Sequence, residues 1–242
     1  MFRYAIELAY NGTNFHGWQR QLNAISVQQE LEEKLSLLLR NPIETLGCGR
    51  TDTGVHAKQF VAHFDFIVKI DCESICNKLN KIISNDIVCY KLWEVPINFN
   101  ARFDAKWRTY EYVITPKANP FIIDFAWKFS LELDLILMNK ACDILLANTN
   151  FECFSKVHTD VVNFNCNVVY ANWEQKEELL IFTIKANRFL RNMVRAIVGT
   201  LIDVGLKKIT LNEFGLIIES KNRSNAGVSV PAKGLFLTKV EY

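Results

Sequence analysis

The segment GCGRTDTGVHA, residues 47–57, brings together residue types that can do chemistry. Asp52 supplies a carboxylate, Arg50 stands two positions before it, and glycines lie on both sides. Glycines let a large ligand approach the backbone, and a carboxylate held between them can act as nucleophile or base. The alternative is a turn between two strands, with glycines at positive φ and polar side chains bonded to the backbone. The residue types alone leave both interpretations open.

Two other kinds of site fit this segment poorly. Gly49 and Gly54 have the spacing of a phosphate-binding loop, but Val55 and His56 stand where that loop requires Lys and Ser or Thr. Without the lysine and the hydroxyl, neither the terminal phosphates nor a magnesium ion would be held. A metal site on Asp52 and His56 would lack further ligands nearby. We therefore expect neither a nucleoside triphosphate nor a metal here.

The composition is that of an ordinary globular protein. Of 242 residues, 50% are hydrophobic and 22% are charged, and the net charge is +2. A site for a polyanion would therefore be a local patch. No apolar run approaches the roughly 18 residues of a membrane helix, and the N-terminus alternates like a strand rather than a signal peptide. Seven cysteines without a CxxC pair favour reduced thiols in a cytoplasmic protein over disulfides or zinc.

Hydrophobic periodicity in residues 1–100 predicts the element order β-α-β-β-α-β. The first helix is predicted to begin at Ser26, with Gln29 three residues later as a capping box requires. A second helix is predicted over residues 72–84. The segment that contains Asp52 falls between the second and third elements of the sheet.

Residues 101–242 repeat this element order with one extra helix. A long helix is predicted from about Arg188 to Val204 and ended by Gly205, and a shorter one from Thr210. The sequence thus predicts an α+β fold of two tandem ferredoxin-like halves with antiparallel sheets. A duplicated unit of this kind usually has its site in the cleft between the halves.

Several segments resemble, in order along nearly the whole chain, one known family. They are FHGWQRQ at 15–21, SVQ at 26–28, GRTDTGVHA at 49–57, FNARFDAKWRTYEYVI at 99–114, KANRFLRNMVRAIVGTLIDVG at 185–205 and AGVSVPAKGLFL at 226–237. Together they resemble the tRNA pseudouridine synthases of the bacterial A type, which isomerise uridines in the anticodon stem-loop. Thr53 is a departure, because alanine is more often expected there.

The resemblance implies a fold and a reaction. The fold is two ferredoxin-like halves, 1–100 and 101–242, in one continuous antiparallel sheet with a central cleft. The reaction isomerises uridine to pseudouridine at tRNA positions 38, 39 and 40, and it needs no cofactor or metal because atoms are only rearranged. The resemblance also implies a homodimer that binds tRNA, without a membrane. A paralogous synthase with other uridine targets and a non-catalytic RNA-binding module are the alternatives.

The resemblance also assigns roles to four residues of the site. The catalytic aspartate is Asp52, the nucleophile, which could attack the ribose or the base or remove a ribose proton. Arg50 helps to hold the extruded uridine. Tyr110 stacks on uracil and assists proton removal at carbon 5, although by itself it also fits the core of a strand. Arg195 pairs with the aspartate and keeps it ionised.

Other residues are predicted to contact RNA. The N-terminal loop suits stacking and phosphate contacts, although such a cluster also fits a capped loop; its candidates are His16, Trp18, Gln19 and Arg20. Arg188, Arg191 and Arg195 fall within about 60° on a helical projection, so one edge of the predicted helix would face RNA phosphates. A solvated basic face is the alternative. Leu235 and Phe236 would line either the uracil pocket or the core.

Overall fold

The computed structural model describes residues 1–157 and 161–242. The chain forms two compact units, one of Met1–Lys106 with Phe236–Tyr242 and the other of Trp107–Leu235. The C-terminal strand therefore belongs with the first unit, although it follows the second in sequence. The predicted division into halves at residue 100, and the arrangement of the two units relative to one another, stay predictions.

The described residues contain nine strands and five α-helices. In chain order these are β1 (Phe2–Tyr10), α1 (Val27–Leu39), β2 (Leu46–Gly47), β3 (His56–Phe66), α2 (Cys72–Leu79), β4 (Ile87–Val95), β5 (Trp107–Thr115), β6 (Trp127–Lys128), α3 (Leu135–Leu146), β7 (Val168–Lys176), β8 (Leu179–Ala186), α4 (Met193–Gly205), α5 (Leu211–Glu219) and β9 (Leu235–Glu241). This order confirms the predicted α+β class, including the extra helix, α5.

The first unit is built on the strand order β4-β1-β3-β9, and β2 pairs with β3. β1 is antiparallel to both β3 and β4. β9 joins β3 in parallel, with His56 opposite Phe236 and Ala57 opposite Leu237. The segment that contains Asp52 connects β2 to β3, so the sheet holds both of its ends. Apolar side chains of α1, Leu31 and Leu35, are fully buried in this unit.

The second unit is built on the antiparallel order β5-β8-β7, and the short β6 runs parallel to β5. The predicted hairpin is confirmed, with Glu177 at φ 54 in its turn between β7 and β8. α3 packs against β7 and α4. Because α4 is buried on most of its surface, it is a core element of this unit.

The prediction for the long helix is wrong at its start. α4 begins at Met193, and Asn192 before it has the left-handed conformation, φ 66, which a continuous helix does not allow. Arg188 and Arg191 therefore precede the helix, and the predicted helical alignment of Arg188, Arg191 and Arg195 does not exist. Arginine and asparagine occur both in helices and in loops, so the residue types of this segment did not indicate where the helix begins.

The C-terminal part of α4 also differs from the prediction. Gly205 is the last helical residue rather than a cap, and the left-handed residue is Lys207, at φ 59. Glycine stands at 205 because a Cβ would lie 2.6 Å from Met138 Sδ on α3. Close packing of two helices, rather than a turn, therefore explains this glycine.

Other helix ends follow the predictions more closely. The Ser26 side chain accepts a hydrogen bond from Gln29 N, but the Gln29 side chain donates to Glu33, so only half of the capping box forms. The capping box of Thr210 and Glu213 is complete. The helix predicted over residues 72–84 ends at Leu79.

A buried histidine links β3 to the segment after β4. His63 is 6% exposed, and its Nδ1 accepts a hydrogen bond of 3.1 Å from Ala101 N, which requires that nitrogen to be unprotonated. Burial lowers the pKa of His63, and the nearby Arg3 lowers it further, against the opposite influence of Asp65 and Asp104. Arg3 in turn forms a two-pronged salt bridge with Asp65, which lowers the pKa of that carboxyl.

These shifts predict an acid-sensitive fold. As pH falls below the ordinary histidine value of 6.5, the unfolded chain binds a proton that folded His63 binds only at lower pH, so stability decreases. Asp65 contributes a further loss of stability only at lower pH, which begins below 3.8 and continues as pH passes the lowered pKa of the folded state. Asparagine keeps a hydrogen-bond acceptor but does not titrate. We therefore expect the free energy of unfolding of His63→Asn, measured with urea, to depend less on pH than that of the wild type between about pH 7 and pH 5. An unchanged slope in this variant would contradict the assignment.

Candidate active site

Asp52 lies in a loop whose neighbouring residues are anchored. The residue before it, Thr51, is 9% exposed, and its Oγ1 lies 2.9 Å from the hydroxyl oxygen of buried Tyr10 in β1. Val55 N donates to Asp52 O at 3.1 Å and closes a turn. Asp52 itself is half-buried, and Arg50 is exposed. The loop therefore presents a carboxylate from a well-supported backbone.

A second loop, residues 12–18, supports the first by direct contact of the two backbones. Trp18 N donates to Thr51 O at 3.3 Å, and Gly54 N donates to Phe15 O at 3.3 Å. Gly17 has φ +80, and a Cβ at this position would collide with Thr51 O. Glycine is therefore required at 17 both by its backbone conformation and by the close approach.

The structure places the ring of Trp18, in the N-terminal loop, in the core. Trp18 is 1% exposed and stacks on Phe60 with ring centroids 4.1 Å apart. Gly47 leaves the space that both rings need, since a Cβ there would lie 2.7 Å from each. This burial contradicts the predicted stacking of Trp18 on RNA and favours the packing alternative. His16, Gln19 and Arg20 are exposed.

A chain of hydrogen bonds connects Arg50 to buried polar residues of α1. Arg50 Nε donates to Gln19 Oε1 at 3.2 Å, and Gln19 Nε2 donates to Gln28 Oε1 at 2.8 Å. Gln28 Nε2 donates to Glu32 Oε1 at 3.0 Å, and Arg20 forms a salt bridge of 3.3 Å with the other oxygen of Glu32. Arg50 and Arg20 are therefore both connected to the buried pair of Gln28 and Glu32.

His56 is buried and packs within the first unit. It is 2% exposed, its Nδ1 accepts from Gly12 N at 3.0 Å, and its ring stacks on Phe236 with centroids 4.7 Å apart. Lys58 Nζ lies 5.3 Å from the centroid of the Phe236 ring. Among residues 1–157 and 161–242, no group of three or more His, Cys, Asp or Glu side chains could hold a metal ion.

In the second unit, two tyrosines of β5 differ in exposure. Tyr110 is partly exposed, and its ring meets Phe189 edge-on with centroids 5.1 Å apart. Tyr112 is fully buried, and its hydroxyl donates to Pro231 O at 2.8 Å. Burial raises the pKa of Tyr112 far above its usual value, against a smaller opposite influence of Arg195. Of the two, Tyr110 is the one whose ring a ligand can reach.

Arg195, in the first turn of α4, has its guanidinium oriented by a backbone carbonyl: its Nε donates to Val230 O at 2.7 Å. Arg188 is half-buried and Arg191 exposed in the segment before α4, where Arg191 O accepts from Lys156 N at 3.0 Å. Leu235, at 5% exposure, is buried. This burial leaves Leu235 either of its two predicted roles.

Sequence reasoning missed two supporting residues, Gln28 and Glu32. Gln28 and Glu32 lie one turn apart on the otherwise apolar face of α1, and both are buried. Polar residues at helical spacing within an apolar stripe are a signal that could have identified them, because buried polar groups need partners.

Known proteins match this chain over its whole length. A family model described as tRNA pseudouridine synthase matches residues 141–242. A tRNA pseudouridine synthase A of Parabacteroides distasonis is 48% identical over 243 residues, covering 100% of this chain and 96% of the relative. Those of Bacteroides fragilis and Clostridium acetobutylicum are 47% and 39% identical, covering 99% and 98% of this chain and 96% and 98% of the relatives.

These matches, together with the α+β fold, define the class as an isomerase that acts on uridine in RNA. The chain belongs to the tRNA pseudouridine synthase family. Within the described residues, no helix is both long enough and apolar enough to span a membrane.

The contact between the two loops predicts a sensitive glycine. Gly17→Ala should place a methyl group against Thr51 O at a backbone conformation that costs about 1 kcal/mol or more for alanine. We expect the displaced Asp52 loop to lower the pseudouridine-forming rate on tRNA by at least about tenfold.

The matched control is Gly215→Ala in α5, where a Cβ would meet no atom within 4 Å. This variant should keep its rate and gain up to about 1 kcal/mol of stability, because alanine favours the helix. Equal rates in the two variants would contradict the requirement for close approach at Gly17.

Proposed function

We propose that this tRNA pseudouridine synthase modifies uridines at positions 38, 39 and 40, in the anticodon stem-loop of tRNA. The observation that carries the proposal is Asp52, half-buried on a loop that hydrogen bonds anchor on both sides. The names of the full-length relatives support tRNA as the substrate. The positions rest on the motifs that this chain shares with the bacterial A-type family.

In the proposed reaction Asp52 is the nucleophile. The bond between ribose C1′ and uracil N1 breaks, the base turns, and a new bond joins C1′ to carbon 5. The hydrogen of carbon 5 leaves to a base, and N1 gains a proton, so atoms balance without a cofactor. The bond that the Asp52 carboxylate forms, to ribose C1′ or to carbon 6 of the base, breaks again before pseudouridine leaves, so the exchange is divided into easier steps. The anchored Thr51 supports this role, because it limits the motion of the adjacent carboxylate.

We assign the supporting roles to three further residues, Arg50, Tyr110 and Arg195. Arg50 holds the extruded uridine, and its link to Gln19 and the buried Gln28 supports a fixed direction for its guanidinium. Tyr110 stacks on uracil and assists proton removal at carbon 5; its partial exposure fits this role. Arg195 supplies a positive charge that pairs with the carboxylate of the aspartate.

RNA binding is assigned to exposed or half-exposed residues. His16, Arg20, Arg188 and Arg191 are the candidates for contacts with phosphates and bases; the first two and Arg191 are exposed and Arg188 is half-buried, which is compatible with this role. Leu235 would act only as part of the wall behind the base, since it is buried. We further propose that the enzyme works as a homodimer in the cytoplasm, where its tRNA substrates are.

The nucleophile assignment predicts the effect of one isosteric substitution. Asp52→Asn keeps the shape of the side chain and removes its charge, so the single-turnover rate on tRNA should fall by at least about 10³-fold. The dissociation constant for tRNA should change little, because the substitution spares the phosphate contacts. Asp143→Asn, on an exposed position of α3, is the matched control and should keep the full rate. A near-normal rate for Asp52→Asn would exclude the assignment.

The target positions are tested by mapping modifications in cells. In a strain that lacks this protein, carbodiimide-based mapping should show that pseudouridine is lost at positions 38–40 and restored by the wild-type gene but not by Asp52→Asn. Loss at other uridines instead would support the paralogous synthase. Binding of tRNA without any modified uridine would support the non-catalytic module.

A further inference from the structure

The segment 226–231, which we call the strap, lies along α4 in the second unit. Gly227 N donates to Thr200 Oγ1 at 2.9 Å. A Cβ on Gly199 would collide with Val228 O, so the strap backbone runs directly on the helix surface. The first half of the strap, Ala226 to Val228, is therefore in direct contact with α4.

The other end of the strap is bonded to Arg195. Val230 N donates to Arg195 O at 3.3 Å, while Val230 O accepts the hydrogen bond from Arg195 Nε at 2.7 Å. The next carbonyl, that of Pro231, accepts the hydroxyl of Tyr112. The Val230 carbonyl therefore contributes to the orientation of the Arg195 guanidinium.

Arg223 binds the strap at its first two residues, Ala226 and Gly227, and again at Ser229. Its Nη1 donates to Ala226 O at 3.3 Å and to Gly227 O at 3.0 Å, and its Nη2 donates to Ser229 Oγ at 2.9 Å. Ser229 Oγ also accepts from Nδ2 of Asn192, the left-handed residue at the start of α4. One planar guanidinium thus binds three acceptors of a short segment through donors spread over two nitrogens, a geometry that the single ammonium nitrogen of lysine does not reproduce.

We propose that Arg223 is a positioning residue for the isomerisation. By holding Ala226, Gly227 and Ser229, it fixes the strap, and the Val230 carbonyl then fixes Arg195. The inference rests on the proposed function, since it requires Arg195 to act on the reacting centre. A purely structural role is the competing explanation, and it predicts that Arg223 affects stability independently of Arg195.

The first test compares rate with binding. For Arg223→Ala we expect the single-turnover rate of pseudouridine formation to fall about 10- to 100-fold, because a shift of about 1 Å in a catalytic group has effects of this size. The dissociation constant for tRNA should stay within about twofold of the wild-type value, because the Arg223 guanidinium binds the strap and we assign it no contact with RNA. Arg223→Lys should have an intermediate rate. Lys221→Ala, which removes an exposed charge two residues away, is the control and should keep the wild-type rate.

The second test is a double-mutant cycle with Arg195→Ala. That substitution alone should weaken catalysis more than tRNA binding. If Arg223 acts through Arg195, adding Arg223→Ala to Arg195→Ala should lower the rate by less than about threefold further. Rate losses that multiply in the double variant would overturn the inference and support the structural explanation.

Two further results keep the inference separate from folding and from the proposed function. If Arg223→Ala does not fold, Ser229→Ala removes one acceptor of the same guanidinium and should show a smaller loss with the same dependence on Arg195. If Asp52→Asn is inactive while Arg223→Ala and Ser229→Ala have the wild-type rate, only the positioning role fails. If Asp52→Asn and Arg195→Ala are both active, the proposed catalytic assignment itself fails.

Discussion

Direct contact between two stretches of backbone is the constraint on which the first part of the candidate site depends. Thr51 O receives a hydrogen bond from Trp18 N and lies against Gly17, whose missing side chain makes this approach possible. The peptide that precedes Asp52 is therefore fixed from outside its own loop. Chemistry on a bound base requires alignment well below 1 Å, and a carboxylate on a freely moving loop would not maintain it.

The second unit supports its arginine by a similar device. A backbone carbonyl, Val230 O, orients Arg195, and the strap that contains it lies on a glycine of the helix that carries Arg195. In both units, a glycine allows two stretches of backbone to come into contact, Gly17 in the first and Gly199 in the second. A hydrogen-bonding side chain adds to the support, Tyr10 in the first unit and Arg223 in the second. Carbonyl groups suit this task because, unlike long side chains, they lose little conformational entropy when they are fixed.

Local signals predicted much of the fold, and their failures have local causes. The periodicity of β1, α1 and the β7–β8 hairpin identified these elements, because alternation and helical spacing are properties of neighbouring residues. The start of α4 was missed, since the left-handed Asn192 interrupts a run whose side chains suit a helix. Trp18 was misassigned because an aromatic ring serves equally for stacking on a base and for packing on Phe60.

By itself, the sequence determined the α+β class, the family and the identity of the residues that carry charge or aromatic rings near the motif around Asp52. Those properties depend on residue types and on spacing along the chain. Only the tertiary structure decided that Trp18 supports the loop from the core and that Gln28 lies behind Arg50. It also decided that Arg223 holds the strap beside Arg195. These relations join residues that are distant in sequence through single hydrogen bonds and close contacts, and their geometry exists only once the chain has folded.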